Sequence, residues 1–160
     1  MAKKRPSQSE PKGPRSIDNR RARHDYEFLE THEAGVALAG AEVKSVWLGR
    51  VNLTDAFCKI EGGEIWLSSL DIEPYEHASR FQPERRRDRK LLMHRKEIDL
   101  LARKVREKGL TLIPSRIYFK GGRVKVQIAL ARGKREYDKR RQIAEKEKRL
   151  EIERMRSQRT

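Results

Sequence analysis

The sequence is poor in several residue types, and each scarcity excludes a class of protein. Cys58 is the single cysteine among 160 residues, so neither an internal disulfide nor a cysteine-based metal site can form. A reducing cytoplasm is the expected compartment. Aromatic residues make up only 6%, and the apolar residues suffice for one modest core. Every apolar run falls short of the ~18 residues of a membrane span, and the basic start lacks the apolar segment of a secretory signal.

Signatures of catalysis and metal binding are missing as well. The four histidines, His24, His32, His77 and His94, show neither an HExxH motif nor a His/Cys ligand spacing. His24-Asp25 is at most a weak metal signal, and its plainer interpretation is a strand-edge histidine beside a hydrogen-bonded aspartate. The sequence has no phosphate-binding glycine loop and no GxSxG motif. We therefore expect no enzyme, no metal and no cofactor.

Positive charge is what the chain has in abundance. Its net charge is +15 and its pI is near 10.3, with an excess of basic residues in 1–19, in 20–132 and in 133–160. The densest stretch, 82–96 (QPERRRDRKLLMHRK), is typical of proteins that bind polyanions. The leucines within it indicate a cluster fixed to a folded surface, although a solvated loop is the alternative. A second basic cluster, NRRARHDY, begins at Asn19.

The hydrophobic pattern predicts a mainly β domain. Two β-rich pairs, 54–60 with 65–70 and 111–119 with 124–130, flank Gly-Gly dipeptides and predict hairpins. Ile113, Ile117 and Phe119 would share one face, and Pro114 requires an edge or a bulge. Short strands are expected near Tyr26 and from 36 to 38, broken at Ala34-Gly35. Helices are predicted over 40–48 and 94–109. We expect a small closed antiparallel OB-like barrel of about six strands with about three short helices.

The predicted domain limits follow from composition. Residues 1–18 form a basic, disordered N-terminal arm, 19–132 the barrel, and 133–160 a basic tail with a thin apolar stripe. We expect this tail to be disordered in isolation and helical on a binding surface.

Three functions fit these features. RNA binding is favoured, because helix-turn-helix and zinc-finger signatures of DNA readout are absent. A metal-dependent nuclease near His24-Asp25 would need a cluster of carboxylates that the sequence does not assemble. A basic structural protein of the ribosome is allowed by composition alone.

Six separate segments resemble the SmpB family, the SsrA-binding proteins of bacterial trans-translation, in order and spacing through most of residues 19–141. They are NRRARHDYEFLETHEAGVALAGAEVKS, NLTDAF, EPYEHAS, RKLLMHRKEIDLL, KGLTLIPSRIYFKGGRVKV and IALARGKREYDKR. The resemblance implies a cytoplasmic, monomeric adaptor with an OB-related barrel. Such an adaptor binds the tRNA-like domain of tmRNA and carries it, alanyl-charged and with elongation factor Tu, to stalled ribosomes. There the protein occupies the space of the missing codon–anticodon helix, and its tail enters the empty mRNA channel.

The resemblance also implies site residues. The family's RNA-contacting positions fall on Asn19, Glu33 and Leu92, although Leu92 is equally open to an assignment as a core residue. The neighbouring basic side chains would supply phosphate contacts; they are Arg20, Arg21, Arg23, Lys44, Arg89 and Lys90. The tail residues that would face the decoding centre are Lys134, Arg135, Tyr137, Asp138, Lys139 and Arg140. Two positions depart from the family: Trp47 stands where an arginine is common, and Tyr137 where some members have histidine.

Overall fold

The computed structural model describes residues 14, 16–78, 82–134 and 136–158, the last range without the side chains of 136–139. The described chain forms nine strands and four helices. In chain order they are β1 (Ile17–Asp18), α1 (Arg20–Asp25), β2 (Tyr26–Val36), α2 (Gly40–Trp47), β3 (Val51–Asn52), β4 (Phe57–Glu61), β5 (Glu64–Ser68), β6 (Asp71–Ile72), β7 (Arg89–Leu92), α3 (Arg95–Lys108), β8 (Thr111–Lys120), β9 (Arg123–Gly133) and α4 (Glu136–Ser157).

Six strands form a closed circuit of antiparallel pairings around the core. The order is β8-β4-β5-β7-β2-β9, and β9 pairs again with β8. Strand β1 adds to β8 outside this six-strand ring, while β3 and β6 form a separate pair. The main core is apolar, with Ile65, Leu67, Leu101 and Ile128 fully buried. The prediction of a mainly β domain is confirmed, with one helix more than expected.

Both predicted hairpins are present. Strands β4 and β5 are joined through Gly62-Gly63, and β8 and β9 through Gly121-Gly122. All four glycines have φ between 59° and 74°, a region that side chains bearing a Cβ rarely adopt. The Gly-Gly turns therefore fix the register of both hairpins.

A bulge in β8 overturns one part of the predicted pattern. The β8–β9 register shifts between Pro114 and Arg116, as the proline required. The extra residue reverses the alternation of side chains upstream of it. Ile113 therefore packs with Ala22 beneath α1, whereas Ile117 lies in the main core. The prediction that these two isoleucines share one face is wrong.

Strand β2 is longer than the sequence indicated. It runs without a break from Tyr26 to Val36, so the predicted interruption at Ala34-Gly35 is wrong. Its irregularity lies elsewhere, between Phe28 and Glu30, where the β2–β9 register shifts. Gly35 lies within the strand at a point where the Leu92 side chain comes close, which leaves little room for a larger residue.

The predicted helices α2 and α3 are confirmed. Ile98 and Leu101 of α3 are buried, and Gly109 ends the helix at φ 61° with its N–H donating to the carbonyl of Val105. The tail forms the helix α4, the conformation that we expect for it on a binding surface. Helix-favouring Glu, Lys and Arg and pairs such as Arg141–Glu145 (3.6 Å) support this conformation.

Candidate nucleic-acid interface

An open groove of about 600 Å³ lies at the Val36 end of β2. We call it the Glu33–Leu92 groove. Strands β2, β7 and β9, the Gly62-Gly63 turn and the start of α3 contribute its walls. The lining residues are Glu33, Gly35, Gly63, Glu64, Lys90, Leu91, Leu92, Met93, His94, Arg95, Glu97, Ile98 and Lys125. It brings together Glu33, Lys90 and Leu92, three of the residues implied by the sequence resemblance.

Leu92 belongs to the surface of this groove. Its side chain is 56% exposed, and its backbone pairs with Gly35 of β2. A Cβ built on Gly35 would lie 3.3 Å from the Leu92 Cβ, so the glycine leaves room for the leucine to lie across the strand. The choice that the sequence left open between surface and core is thereby decided for the surface.

Glu33 is held as a carboxylate beside Leu92. Its Oε2 accepts a hydrogen bond from the Tyr118 hydroxyl, and Lys120 Nζ lies 3.4 Å from the same carboxylate. The bond from Tyr118 and the Lys120 charge lower the pKa of Glu33 despite some desolvation. Burial and the same bond raise the pKa of Tyr118 to about 12. At neutral pH the site therefore presents an acceptor flanked by a phenol and an ammonium.

The groove carries charges of both signs. Lys90 and Lys125 face it, and Lys90 Nζ lies 2.9 Å from Glu64 Oε1. Arg95 extends over Gly63, where its guanidinium would be 2.4 Å from an added Cβ. A surface of this kind can meet phosphates with its cations and base amino or 2′-hydroxyl groups with its carboxylates.

The adjacent Arg89 corrects the sequence-based assignment. Its side chain is 0% exposed, and Nε donates to Glu42 Oε2 at 2.7 Å while Nη1 donates to the Leu70 carbonyl at 2.7 Å. Burial lowers the pKa of Arg89, and the Glu42 carboxylate opposes that change. Arg89 thus holds β7 to α2 and the preceding loop, and its expected phosphate contact is ruled out in this conformation.

Most of the basic cluster that dominated the sequence is used in the same way. Arg87 pairs with Glu42, and Arg85 Nε lies 2.9 Å from Asp71 Oδ1. Glu42 also accepts from the N–H of Ala39 at 3.0 Å. Burial alone would raise the pKa of Glu42, but these hydrogen bonds outweigh it and lower the pKa. The cluster is therefore largely a structural ion network, and its members that face the groove are Lys90 and Arg95.

Asn19 is also an internal residue. It is 2% exposed, and its amide nitrogen donates to the carbonyls of Leu53 (3.1 Å) and Pro114 (3.0 Å). Its amide oxygen accepts from the N–H of Ala22 at 3.1 Å, as the N-cap of α1. The side chain therefore anchors α1 to the six-strand ring and has little surface with which to touch RNA.

Helix α1 exposes the basic residues that Asn19 anchors. Arg20, Arg21 and Arg23 are exposed, with Arg21 3.6 Å from Asp25 and Arg23 3.8 Å from Asp18. The sequence missed this helix because it is short and its only buried residue is Ala22. The helix lies at the Tyr26 end of β2, so these arginines are roughly 30 Å from Leu92 at ~3.3 Å per strand residue.

The tail begins beside α1. Lys134 donates from its backbone N–H to the Asp25 carbonyl (3.0 Å), and its Nζ donates to the Arg23 carbonyl (3.2 Å) and to Gln142 Oε1 (2.9 Å). Arg135 lies outside the described residues, while Tyr137, Asp138 and Lys139 are described only as helical backbone. Arg140 is exposed, as are the described side chains that follow it to residue 158.

Lys44 is an exposed residue of α2 and does not line the Glu33–Leu92 groove. Its Nζ is 5.2 Å from the centre of the Tyr75 ring. Tyr118, Lys120 and Lys125 were not assigned to the site from sequence. The signal that could have found them was the polar face of the β8–β9 hairpin. The alternation of side chains along that hairpin puts Lys125 on the face opposite the core.

The described residues offer little support for other kinds of site. Within the described ranges, no group of three or more His, Cys, Asp and Glu residues is placed to hold a metal ion. The His24-Asp25 pair is a single hydrogen bond of 2.9 Å on the surface of α1. None of the helices that the structure describes is both long and apolar enough to cross a membrane.

Comparison with known proteins identifies the family. The family model described as SmpB protein matches residues 16–158. An SsrA-binding protein of Carboxydothermus hydrogenoformans is 55% identical over 136 residues, covering 85% of this chain and 91% of the relative. One of Thermobifida fusca is 52% identical over 155 residues, covering 96% of each.

A solved structure agrees with these relatives. It is described as "tmRNA-SmpB: a journey to the center of the bacterial ribosome" and has a chain 52% identical to this one. The two superpose with a TM-score of 0.65, over 76% of this chain and 85% of the other. The extent of these matches in both sequence and structure places the chain in the SmpB family of SsrA-binding proteins.

Proposed function

We propose that this protein is an RNA-binding adaptor of trans-translation, which binds the tRNA-like domain of tmRNA and delivers it to stalled ribosomes. The observation that carries the proposal is the Glu33–Leu92 groove, where an exposed leucine, a carboxylate and two lysines meet on a rigid ring. The relatives' name, SsrA-binding protein, and the tmRNA–SmpB ribosome structure point to the same RNA.

The groove would bind structured RNA through three kinds of contact. Lys90 and Lys125 attract phosphates, and the Glu33 carboxylate accepts from base amino groups or 2′-hydroxyls. Leu92 packs against the apolar face of a ribose or a splayed base, from which it excludes water. Asn19 and Arg89 support the site as positioning residues. Arg20, Arg21 and Arg23 would contact phosphates at the far end of β2, and Lys44 would do so on α2.

The tail supplies the ribosomal half of the proposal. Helix α4, which follows Lys134, would enter the vacant mRNA channel. The residues that would face the decoding centre are Arg135, Tyr137, Asp138, Lys139 and Arg140. The protein would occupy the space of the absent codon–anticodon helix, with alanyl-tmRNA and elongation factor Tu as partners. The protein itself would perform no bond chemistry. We also infer that the six-strand ring is a closed barrel of the OB type, since its pairings return to β8.

The decisive test is recovery of RNA with the tagged protein. We expect one dominant RNA with a tRNA-like acceptor end, recovered with the wild type and in smaller amount with Leu92→Asp. The logarithm of Kd should rise linearly with the logarithm of the salt concentration, because phosphate contacts release counterions. Equal affinity for any RNA of similar length, or an affinity independent of salt, would contradict the proposal.

Two alternatives predict different results in the same preparation. A structural protein of the ribosome would co-sediment with subunits in a fixed stoichiometry, whereas an adaptor does not. A nuclease would cleave the bound RNA when divalent metal is added, whereas an adaptor leaves it intact.

A further inference from the structure

Trp47 is a large aromatic side chain left mostly on the surface. It ends α2 and is 53% exposed. Its ring meets that of Phe119 with centroids 5.3 Å apart and planes inclined at 78°. An edge-to-face contact of this type covers at most one face of an indole. At least one face of the Trp47 ring therefore remains available to a further flat partner.

A continuous surface connects Trp47 with the Glu33–Leu92 groove. A second concavity of about 400 Å³ shares Gly35, Leu92 and Lys125 with that groove and extends to Val43 of α2. Val43 and Trp47 are four residues apart in one helix, so they are neighbours on the same face. RNA lying across Leu92 would reach Trp47 by following this surface.

Charge near the indole favours an anionic partner with flat rings. Arg123 and Lys125 line the connecting concavity, whereas Lys44 lies over the Tyr75 ring on the other flank of α2. The opposite flank differs, because the exposed Glu73 and Glu76 follow there and Arg50 Nη1 lies 3.6 Å from Glu76 Oε1. A polyanion would therefore be favoured from the groove as far as Trp47 and disfavoured beyond it.

We propose that Trp47 stacks on an unpaired base of the bound RNA and marks the end of the RNA-binding surface. Aromatic side chains beside cationic ones are the usual means by which proteins hold unpaired bases, since every base offers a π-face. This inference rests on the proposed RNA-binding function. It adds one nucleotide position to it, an unpaired base next to the RNA segment that lies across Leu92.

The test compares four full-length proteins for binding to a transcript of the tRNA-like domain: wild type, Trp47→Ala, Trp47→Phe and Leu48→Ala. Leu48 is the matched control, because it is the next residue and is 52% exposed. We expect Trp47→Ala to weaken binding by about tenfold, Trp47→Phe to retain most of the affinity, and Leu48→Ala to match the wild type. Unchanged binding by Trp47→Ala, or an equal loss with Leu48→Ala, would overturn the inference.

Fluorescence gives a second readout that folding effects do not imitate. The chain has two tryptophans, so Trp66→Phe leaves Trp47 as the sole indole. Its emission should be quenched when the transcript binds, since stacking on a base quenches an indole. If this variant binds the transcript without quenching, the stacking inference is wrong. The outcome is distinct from failure of the proposed function, in which Leu92→Asp and wild type would bind the transcript equally.

Discussion

The two ends of β2 are built in opposite ways. At the Val36 end, Leu92, Glu33 and their neighbours project from strands whose inner faces are packed in the core, and Glu33 and Lys90 are each held by a named partner. At the Tyr26 end, most described side chains of α1 and all described side chains of α4 are exposed, and Lys134 joins the two helices through three hydrogen bonds. The first end is preorganised, whereas the second depends on few contacts within the protein.

This difference indicates how each end would bind RNA. A preorganised groove loses little conformational entropy on binding, so its contacts translate efficiently into affinity and selectivity. A solvent-exposed helix such as α4 lacks tertiary packing and is marginal in water. Contacts with ribosomal RNA would neutralise its basic groups and stabilise it, which couples its order to the presence of the correct site.

The largest expected effect comes from removing the tail. Truncation after Lys134 keeps β9 and its contact with α1, so RNA binding should remain within about threefold, given that distant sites act independently. Peptide tagging on stalled ribosomes should be abolished. A peptide-transfer assay with parallel measurement of tmRNA binding checks both. Equal peptide transfer by the truncated and full-length proteins would show that the tail is dispensable. Loss of tmRNA binding together with peptide transfer would place the tail in the RNA site.

The next effect concerns the framework of the groove. Glu42→Gln removes the charge that compensates Arg87 and Arg89, and we expect a loss of about 3–5 kcal/mol in the free energy of unfolding. Urea unfolding of the wild type and of Glu61→Gln, an exposed control, provides the comparison. A loss below about 1 kcal/mol, the size of an exposed pair, would show that the network does not support the framework.

The same residue predicts a dependence on pH. The pKa of Glu42 in the folded protein lies below its usual 4.5, so the unfolded chain binds that proton more readily. The stabilising contribution is therefore complete well above pH 4.5 and is lost as the pH falls through the folded-state pKa. Wild type should lose more stability than Glu42→Gln between neutral and acidic pH. Parallel profiles would contradict this assignment.

Substitutions within the groove should act on RNA rather than on folding. Leu92→Asp places a carboxylate where an apolar contact is expected, and Glu33→Ala removes an acceptor, so each should weaken RNA binding by about 1–3 kcal/mol. Circular dichroism should remain that of the wild type. An unfolded Leu92→Asp protein would contradict its surface assignment. Tyr118→Phe adds a sharper comparison, because it retains the Glu33 carboxylate while removing the hydrogen bond that orients it.

The smallest effect tests the contact between α1 and the tail. Lys134→Ala removes the hydrogen bonds from Nζ to the Arg23 carbonyl and Gln142, worth about 1 kcal/mol or less at an exposed site. We expect peptide transfer to fall a few fold while RNA binding at the groove is unchanged. Lys148→Ala on α4 is the control, and an equal decrease in the two variants would indicate a general charge effect rather than orientation by Lys134.

Sequence patterns predicted local structure well and side-chain partners poorly. The Gly-Gly turns and α3 follow from short-range rules, and the structure confirms them. The fate of Arg89 could not be predicted, because its partner Glu42 is far away in the chain and only the folded ring brings them together. Ile113 was misplaced because one bulge residue reverses the alternation of a strand. The resemblance to known sequences supplied Glu33 and Leu92, whose roles no periodicity indicates.

The uninterrupted β2 gives the molecule a fixed internal distance. A hinge between the groove and the tail would let the two bind their partners independently. A single hydrogen-bonded strand instead fixes the position and orientation of one relative to the other. Inserting one residue into β2 would shift one end by ~3.3 Å and turn every following side chain to the opposite face. The register shift between Phe28 and Glu30 then sets the angle at which the two ends present themselves, since bulges increase the local twist. The groove and the start of the tail would therefore contact their partners, the RNA and the ribosome, at a fixed separation and orientation.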